Sequence, residues 1–417
     1  MQVARMLAWR TAAVAVAALL LAGAAQARTK EVVLHAFTGG RDGGGPNGLI
    51  ADNQGKLYGT ARFGGRSYHA CHHGCGLVYK ISRDGTQTVL HQFHGDDGYS
   101  PAAPLLADGN GNLFGTTSRG GSMSGGVVFK LAPDGTYTVL HNFCILSPCT
   151  DGNSPIGALV KDASGNLYGA TYAGGPDRLD GTIFKIAPDG TETTLYAFCQ
   201  QKNCVDGSHP WGVVADGAGN LYGATFAGGS DGFGAVFKLA TDGTETVLHS
   251  FCQPNSCGDG SSPSVQPIMD SDGNLYGSTL GGGTGSPDCG IVYKLSPDGA
   301  ETILHDFSQS DGCQPGGLAF DTKGNILGVT YLGGAKCLPY GCGTVFQIQR
   351  GGNEFALLNF GRPHDGRLPS DALVADAFGN WYGTTNAGGN IKACEEHDGK
   401  ETNGCGVVFE LRTGGAP

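Results

Sequence analysis

The segment His69-Ala-Cys71-His72-His73-Gly-Cys75 sets three imidazoles and two thiols within seven residues, and these are ligand types for zinc. Its spacing matches no familiar zinc pattern. Cys71 and Cys75 can instead close a disulfide and leave the histidines in solvent. Asp270-Ser-Asp272-Gly-Asn274 opens like a calcium loop, but no Glu follows at the closing place, so it reads as a hairpin. Single-copy ionisable and aromatic residues are the candidates for ligand contact: His72, Asp180, His209, Trp211, Glu395 and His397, with Glu396 and Asp398 beside the last two. Carboxylates and imidazoles can move protons, and Trp211 can stack on a sugar ring. No Gly-x-Ser-x-Gly elbow and no His-Glu-x-x-His motif is present, so no catalytic set, metal or cofactor is assigned.

These residues sit within a repeat. A Gly-Asn-Leu-Tyr-Gly type stretch begins at Gly55, Gly111, Gly165, Gly219, Gly273, Gly324 and Gly379, with spacings of 51 to 56 residues. A V-F-K-L type run begins near 77, 127, 182, 235, 291, 344 and 407, and a V-L-H-x-F type run opens at residues 32–37 and recurs six times, the last as FALLNF at 355–360. Asp-Gly-x-x-Pro begins at Asp42, Asp97, Asp151, Asp206, Asp259, Asp311 and Asp365. Each unit reads as four short strands joined by Asp-Gly hairpins, which is the grammar of a propeller blade. The expected fold is an all-β, seven-bladed propeller. The lone strand at 32–37 lies outside the lone strand at 407–411, completing the last blade and leaving no free edge. Residues 28–417 are expected to form one domain.

Residues present in every blade answer to packing and turns, because an active site needs one asymmetric set. The Asp of Asp-Gly-x-x-Pro is expected to bond local backbone amides; a ring of calcium sites is the alternative. His35, His91, His141, His249 and His305 share one strand position, filled by Tyr196 and Leu358 elsewhere, and are expected to pack between blades. Trp381 stands in the Leu-Tyr-Gly stretch and is expected in the core. Length variation falls on one face, in the loops between strands two and three and between one blade and the next. A rigid scaffold with one variable face binds there.

All 14 cysteines lie on that face. Neighbours suggest the pairs Cys71/Cys75, Cys144/Cys149, Cys199/Cys204, Cys252/Cys257, Cys337/Cys342 and Cys394/Cys405, leaving Cys289 with Cys313. Such disulfides stiffen loops and lower the entropic cost of binding.

The 417-residue chain holds 74 Gly, well above the ~7% of average proteins. Arg5, Arg10, the apolar run at 12–25 and Ala25-Gln26-Ala27 read as a cleaved export signal over residues 1–27. The run falls short of the roughly 20 residues of a membrane span, and no Cys follows for lipid attachment. Its removal leaves 24 basic against 37 acidic residues, a net charge of −13, which disfavours nucleic acid and anionic membranes as partners.

G-N-L-Y-G-T-T, then Gly-Gly, then G-x-V-F-K-L resembles the GloVer tandem repeat of exported, choice-of-anchor bacterial proteins. The resemblance covers nearly all of residues 31–411 and implies export and a repeat architecture, with no activity attached. The chain departs from that family in ending at Gly-Gly-Ala-Pro without a sorting helix, so surface anchoring is not expected. The strand grammar is also similar to NHL-type propellers, in architecture only. The expected function is a secreted or periplasmic, monomeric scaffold binding a polymer, carbohydrate or protein on its loop face. The alternative is a propeller-type hydrolase or lyase acting on an extracellular carbohydrate or ester. Two mature tryptophans, Trp211 and Trp381, are too few for a quinone dehydrogenase.

Overall fold

The computed structural model describes residues 29–67, 71–252, 257–284, 289–334, 337, 341–362, 364–390, 394 and 404–412. Seven antiparallel sheets stand in a ring as a seven-bladed propeller. Blade 3 is representative, running Asn153–Lys161, Leu167–Ala173, Thr182–Ile186 and Glu192–Ala197 from channel to rim. In blade 7 the outer strand is the N-terminal Lys30–Ala36, paired antiparallel with Val407–Arg412. The ring therefore closes with the outermost strand from one end of the chain and the next strand from the other, as the sequence suggested.

The core lies between blades, not within them. Each hydrophobic cluster joins the Phe of one outer strand to the third-strand aromatic of the following blade. At the boundary of blades 3 and 4, Phe198 meets Phe237 edge-on with ring centroids 5.0 Å apart. Phe37 and Tyr79 make the corresponding pair across the closure, at 5.2 Å. Such edge-to-face pairs add about 0.5–1.5 kcal/mol beyond the area they bury. The glycine of Leu-Tyr-Gly makes room for these rings: a Cβ on Gly169 would stand 2.6 Å from Phe184 Cζ.

Every outer strand carries a bulge at the Leu of V-L-H-x-F. In blade 3 the register jumps from Thr194 to Tyr196, leaving Leu195 out of the ladder. Leu195 then packs on the cluster containing Val213, Leu221 and Phe237 of blade 4. A bulge re-aims one side chain, and here it carries Leu195 into the neighbouring core.

The repeated histidines and the Asp of Asp-Gly-x-x-Pro meet across the same boundaries. His91 Nε2 is 2.9 Å from Asp97, and His305 Nε2 is 3.0 Å from Asp311. Where Tyr196 replaces the histidine, its hydroxyl donates to Asp206 at 2.9 Å. The aspartates also cap backbone amides, as in Asp97 with His94 N and Asp311 with Ser308 N. The Asp270 segment is a hairpin: the carboxylate accepts from the Asp272 and Asn274 amides, the Asn274 side chain and the Tyr276 hydroxyl. Trp381 is half-buried against the core between blades 6 and 7.

At the closure, Glu31 Oε1 accepts from Gly366 N at 2.9 Å, while Oε2 is buried without a hydrogen-bond partner. Burial, with Asp365 nearby, pushes the Glu31 carboxyl up from 4.5 to about 8. A raised folded-state pKa means stability that is present below pH 4.5 and lost as pH rises towards 8, by at most about 1.4 kcal/mol per pH unit. Glu192 and Glu245, pushed up to about 7, act in the same direction at lower pH. Glu31→Gln is therefore expected to melt higher than wild type at pH 8–9 and to differ little at pH 4. Thermal melts across that range check this; parallel curves at every pH would contradict it.

Candidate functional site

The blades are clasped to one another at the loop face. In each repeat the residue before the proline of Asp-Gly-x-x-Pro has left-handed φ: Gly45, Ser100, Ser154, His209, Ser262, Gln314 and Leu368. Its N–H donates to the carbonyl two residues before the third strand of the preceding blade, as in His209 N to Asp180 O at 2.7 Å. The following proline packs on the glycine after that carbonyl. A Cβ on Gly181, which has φ +87°, would overlap the Thr171 carbonyl oxygen and stand 2.7 Å from Pro210 Cδ. The repeated Asp-Gly-x-x-Pro and the Gly before V-F-K-L are thus two halves of one inter-blade contact. The six non-glycine residues there hold a conformation that costs an L-residue about 1–2 kcal/mol.

The carbonyl of this clasp comes from a cysteine in four blades (Cys75, Cys289, Cys342 and Cys405) and from Gly125, Asp180 and Phe233 in blades 2, 3 and 4. The disulfides follow the same division. Cys71–Cys75, Cys337–Cys342 and Cys394–Cys405 lie in the loops between second and third strands of blades 1, 6 and 7. Cys289–Cys313 ties that loop of blade 5 to the inner strand of blade 6. Cys144–Cys149, Cys199–Cys204 and Cys252–Cys257 lie instead in the connections from blade 2 to 3, 3 to 4 and 4 to 5. No described cysteine is free.

Among the described residues, the exposed large apolar side chains of this face lie over blades 2–4, where the inner clasp position carries no cysteine. Met123, Ile145, Leu146, Leu179 and Phe233 are exposed in the loops there. Between blades 3 and 4 three rings gather. Tyr172, at the end of the second strand of blade 3, lies 4.6 Å from His209 and 5.9 Å from Trp211, both on the inner strand Ser208–Ala215 of blade 4. His209 Nδ1 is 3.1 Å from Ser208 Oγ. The Trp211 side chain is half-buried, and its indole nitrogen is buried with no hydrogen-bond partner. Burial lifts the Asp180 carboxyl above its ordinary value against the pull of His209, with Asp177 and Asp206 adding repulsion. Burial lowers the His209 imidazole, against the pull of Asp180. Both shifts favour the neutral forms.

Gln266, on blade 5, ties together the inner strands of neighbouring blades. Its Nε2 donates to Val213 O at 2.6 Å, and its Oε1 accepts from Ala158 N at 3.0 Å, linking blades 3, 4 and 5.

Three of the six candidates from the sequence, Asp180, His209 and Trp211, are brought together, with Tyr172 as a fourth member that the sequence reading missed. Tyr172 stands at a position filled by Arg62, Ser118, Phe226, Leu280, Tyr331 and Asn386 in the other blades, and that variation was its only signal. His72 is exposed on blade 1 and does not join them. Glu395 and His397, with His69, Glu396 and Asp398, lie outside the described residues. Asp180 also stands with Cys199 and Cys204 in a group of metal-ligand types, but both sulfurs are held in a disulfide. Among the described residues no helix is long and apolar enough to cross a membrane.

Solved structures with the same fold include a streptogramin B lyase (12% identity, TM-score 0.59, covering 93% of this chain and 99% of that one). A puromycin hydrolase matches at 13% identity and TM-score 0.56, covering 90% of this chain. The extracellular domain of a hybrid two-component system from B. thetaiotaomicron matches at 12% identity and TM-score 0.54, covering 91%. This chain spans 54% and 41% of the last two. At these identities the likeness is one of fold alone. No curated protein matches the chain by sequence. The model of the Gloeobacter/Verrucomicrobia repeat matches residues 24–205 and 199–393, and the chain belongs to that family.

Proposed function

We propose that the protein is an exported binding scaffold that holds a carbohydrate polymer on its loop face, over blades 3 and 4. The observation that carries this reading is the cluster of Tyr172, His209 and Trp211 at the channel mouth, where three rings meet at positions that vary from blade to blade. Aromatic rings take sugar rings on their faces, and the flanking exposed apolar side chains give a longer chain further contact. The disulfides in the connections from blade 2 to 3 and from 3 to 4 hold that platform in shape. Export rests on the leader-like residues 1–27 and on the seven disulfides, which persist in oxidising compartments.

The test is a glycan array probed with the mature protein, followed by titration of the best ligand. Trp211→Ala is expected to weaken that ligand by about 10- to 100-fold. Unchanged affinity would remove the cluster from the binding surface. One observation favours a second reading, a hydrolase or lyase: Asp180 is shifted up and His209 down, so their neighbouring side chains are drawn together in proton affinity. Turnover of a chromogenic ester or glycoside, abolished by Asp180→Asn, would establish it in place of simple binding.

A further inference from the structure

At each boundary the aspartate, with its histidine where one is present, faces a third residue at the start of the next outer strand. That residue is Gln87 or Tyr137 at two boundaries, and Glu192, Glu245, Glu301, Glu354 or Glu31 at the others. Histidine, aspartate and glutamate converge closely at two of them. His249, Asp259 and Glu301 between blades 4 and 5, and His305, Asp311 and Glu354 between blades 5 and 6, each bring one donor atom per residue within 4.8 Å of the other two. His141, Asp151 and Glu192 have the same types without that convergence. Where Tyr196 or Leu358 replaces the histidine, one ligand is missing.

We propose that these two constellations are divalent transition-metal sites of the zinc type, each fastening one blade to the next. The aspartates are already oriented. Asp259 takes the Cys252 amide on Oδ1, and Asp311 takes the Ser308 amide and hydroxyl on Oδ1, so each turns Oδ2 towards its histidine. His249 Nε2 lies 3.4 Å from Asp259 and 3.9 Å from Glu301, without a hydrogen bond to either. Glu301 Oε1 and Glu354 Oε1 are likewise buried with no hydrogen-bond partner. Two facing carboxylates repel each other, and buried polar atoms without partners are costly. A cation at the centre of each triad would offset the opposed charges, and at the second it would take the place of the 3.0 Å hydrogen bond between His305 Nε2 and Asp311 Oδ2. The imidazole rings are set edge-on against Phe251 and Phe307, at 4.8 and 4.4 Å, which limits their rotation.

One nitrogen and two carboxylate oxygens, with a water completing a tetrahedron, suit zinc. Calcium prefers six to eight oxygen ligands and no imidazole. A bound ion would join an outer strand, the connection containing Cys252–Cys257 and the next outer strand, bracing the loop face from its rim.

The test uses the full mature chain, stripped with EDTA and dialysed against Zn2+, with bound metal counted by mass spectrometry. Two equivalents per chain are expected, falling to one in Glu301→Gln and to none in Glu301→Gln/Glu354→Gln. The count should be unchanged in His72→Gln/His73→Gln, which removes the exposed histidines of blade 1. Zn2+ should raise the melting temperature of wild type and leave that of the double variant in place. An apo chain that takes up no metal overturns the proposal, as does loading that the double variant retains. A single equivalent overturns the site whose substitution leaves it unaltered. Should a variant misfold, Co2+ loading of the wild type decides, because absence of visible d–d bands from a nitrogen- and oxygen-ligated ion overturns it.

Discussion

A chain beginning at Thr38, lacking the strand Lys30–Ala36 and Phe37, is expected to lose its monomeric form and aggregate. That strand is the outer member of blade 7, and its removal exposes the whole outer edge of Val407–Arg412, which stays paired with Trp381–Thr385 on its other side. An unpaired strand of this kind is a template for another chain. The deletion also takes Phe37 out of the cluster that joins blade 7 to blade 1, where it packs on Tyr79, and Leu34 from beside it. Truncating one buried Phe costs about 3–5 kcal/mol, before the lost hydrogen bonds are counted. Light scattering coupled to size exclusion should show soluble oligomers, and the melting temperature should fall by at least about 10 °C. A monomer with an unchanged melt would contradict closure by this strand.

Gly181→Ala is expected to be strongly destabilising although it adds a single methyl group beside the site. The added methyl meets the Thr171 carbonyl and Pro210 Cδ at once, on a backbone with φ +87°. The conformational cost alone is about 1–2 kcal/mol, and neither neighbour is a side-chain end that can swing away. A total loss of about 3 kcal/mol in urea unfolding is expected. Because Asp180 precedes this residue and takes the His209 amide, the clasp beneath the aromatic cluster should loosen with it. Gly217→Ala, at a hairpin where a Cβ would meet nothing within 4 Å, is the matched control and should be close to neutral. Equal losses at both positions would mean that the clasp contributes nothing special.

Most of the architecture was legible because each blade repeats its own instructions. Five Asp-Gly hairpins between third and fourth strands, with seven Asp-Gly-x-x-Pro segments between blades, fix strand number and order, and the two incomplete units at the chain ends imply closure. What stayed hidden depends on contacts between repeats. His91 and Asp97 are six residues apart, but His141 and Asp151 are ten apart, because a disulfide loop intervenes. That change of spacing hid a pairing common to both. Glu301 reaches His249 from 52 positions away, which no local pattern reports. Gln266 has no counterpart in other blades, and only the ring geometry brings it to Ala158 and Val213. Tyr172 looked like one more variable strand residue until the next blade set His209 and Trp211 beside it.

The central claim is that ligand is held by the loop face over blades 3 and 4, and paired substitutions on the two faces test it most directly. Affinity for the ligand found on the array would be measured for Tyr172→Ala and Trp211→Ala on one face, and for Asp134→Ala and Asp189→Ala on the other. The last two are exposed hairpin residues, each accepting a local threonine amide at 2.9 Å. The expected result is a loss of at least about 10-fold at Tyr172 and Trp211, and less than about 2-fold at the hairpins. Binding that survives both aromatic substitutions and fails when the hairpins change would place the ligand on the opposite face.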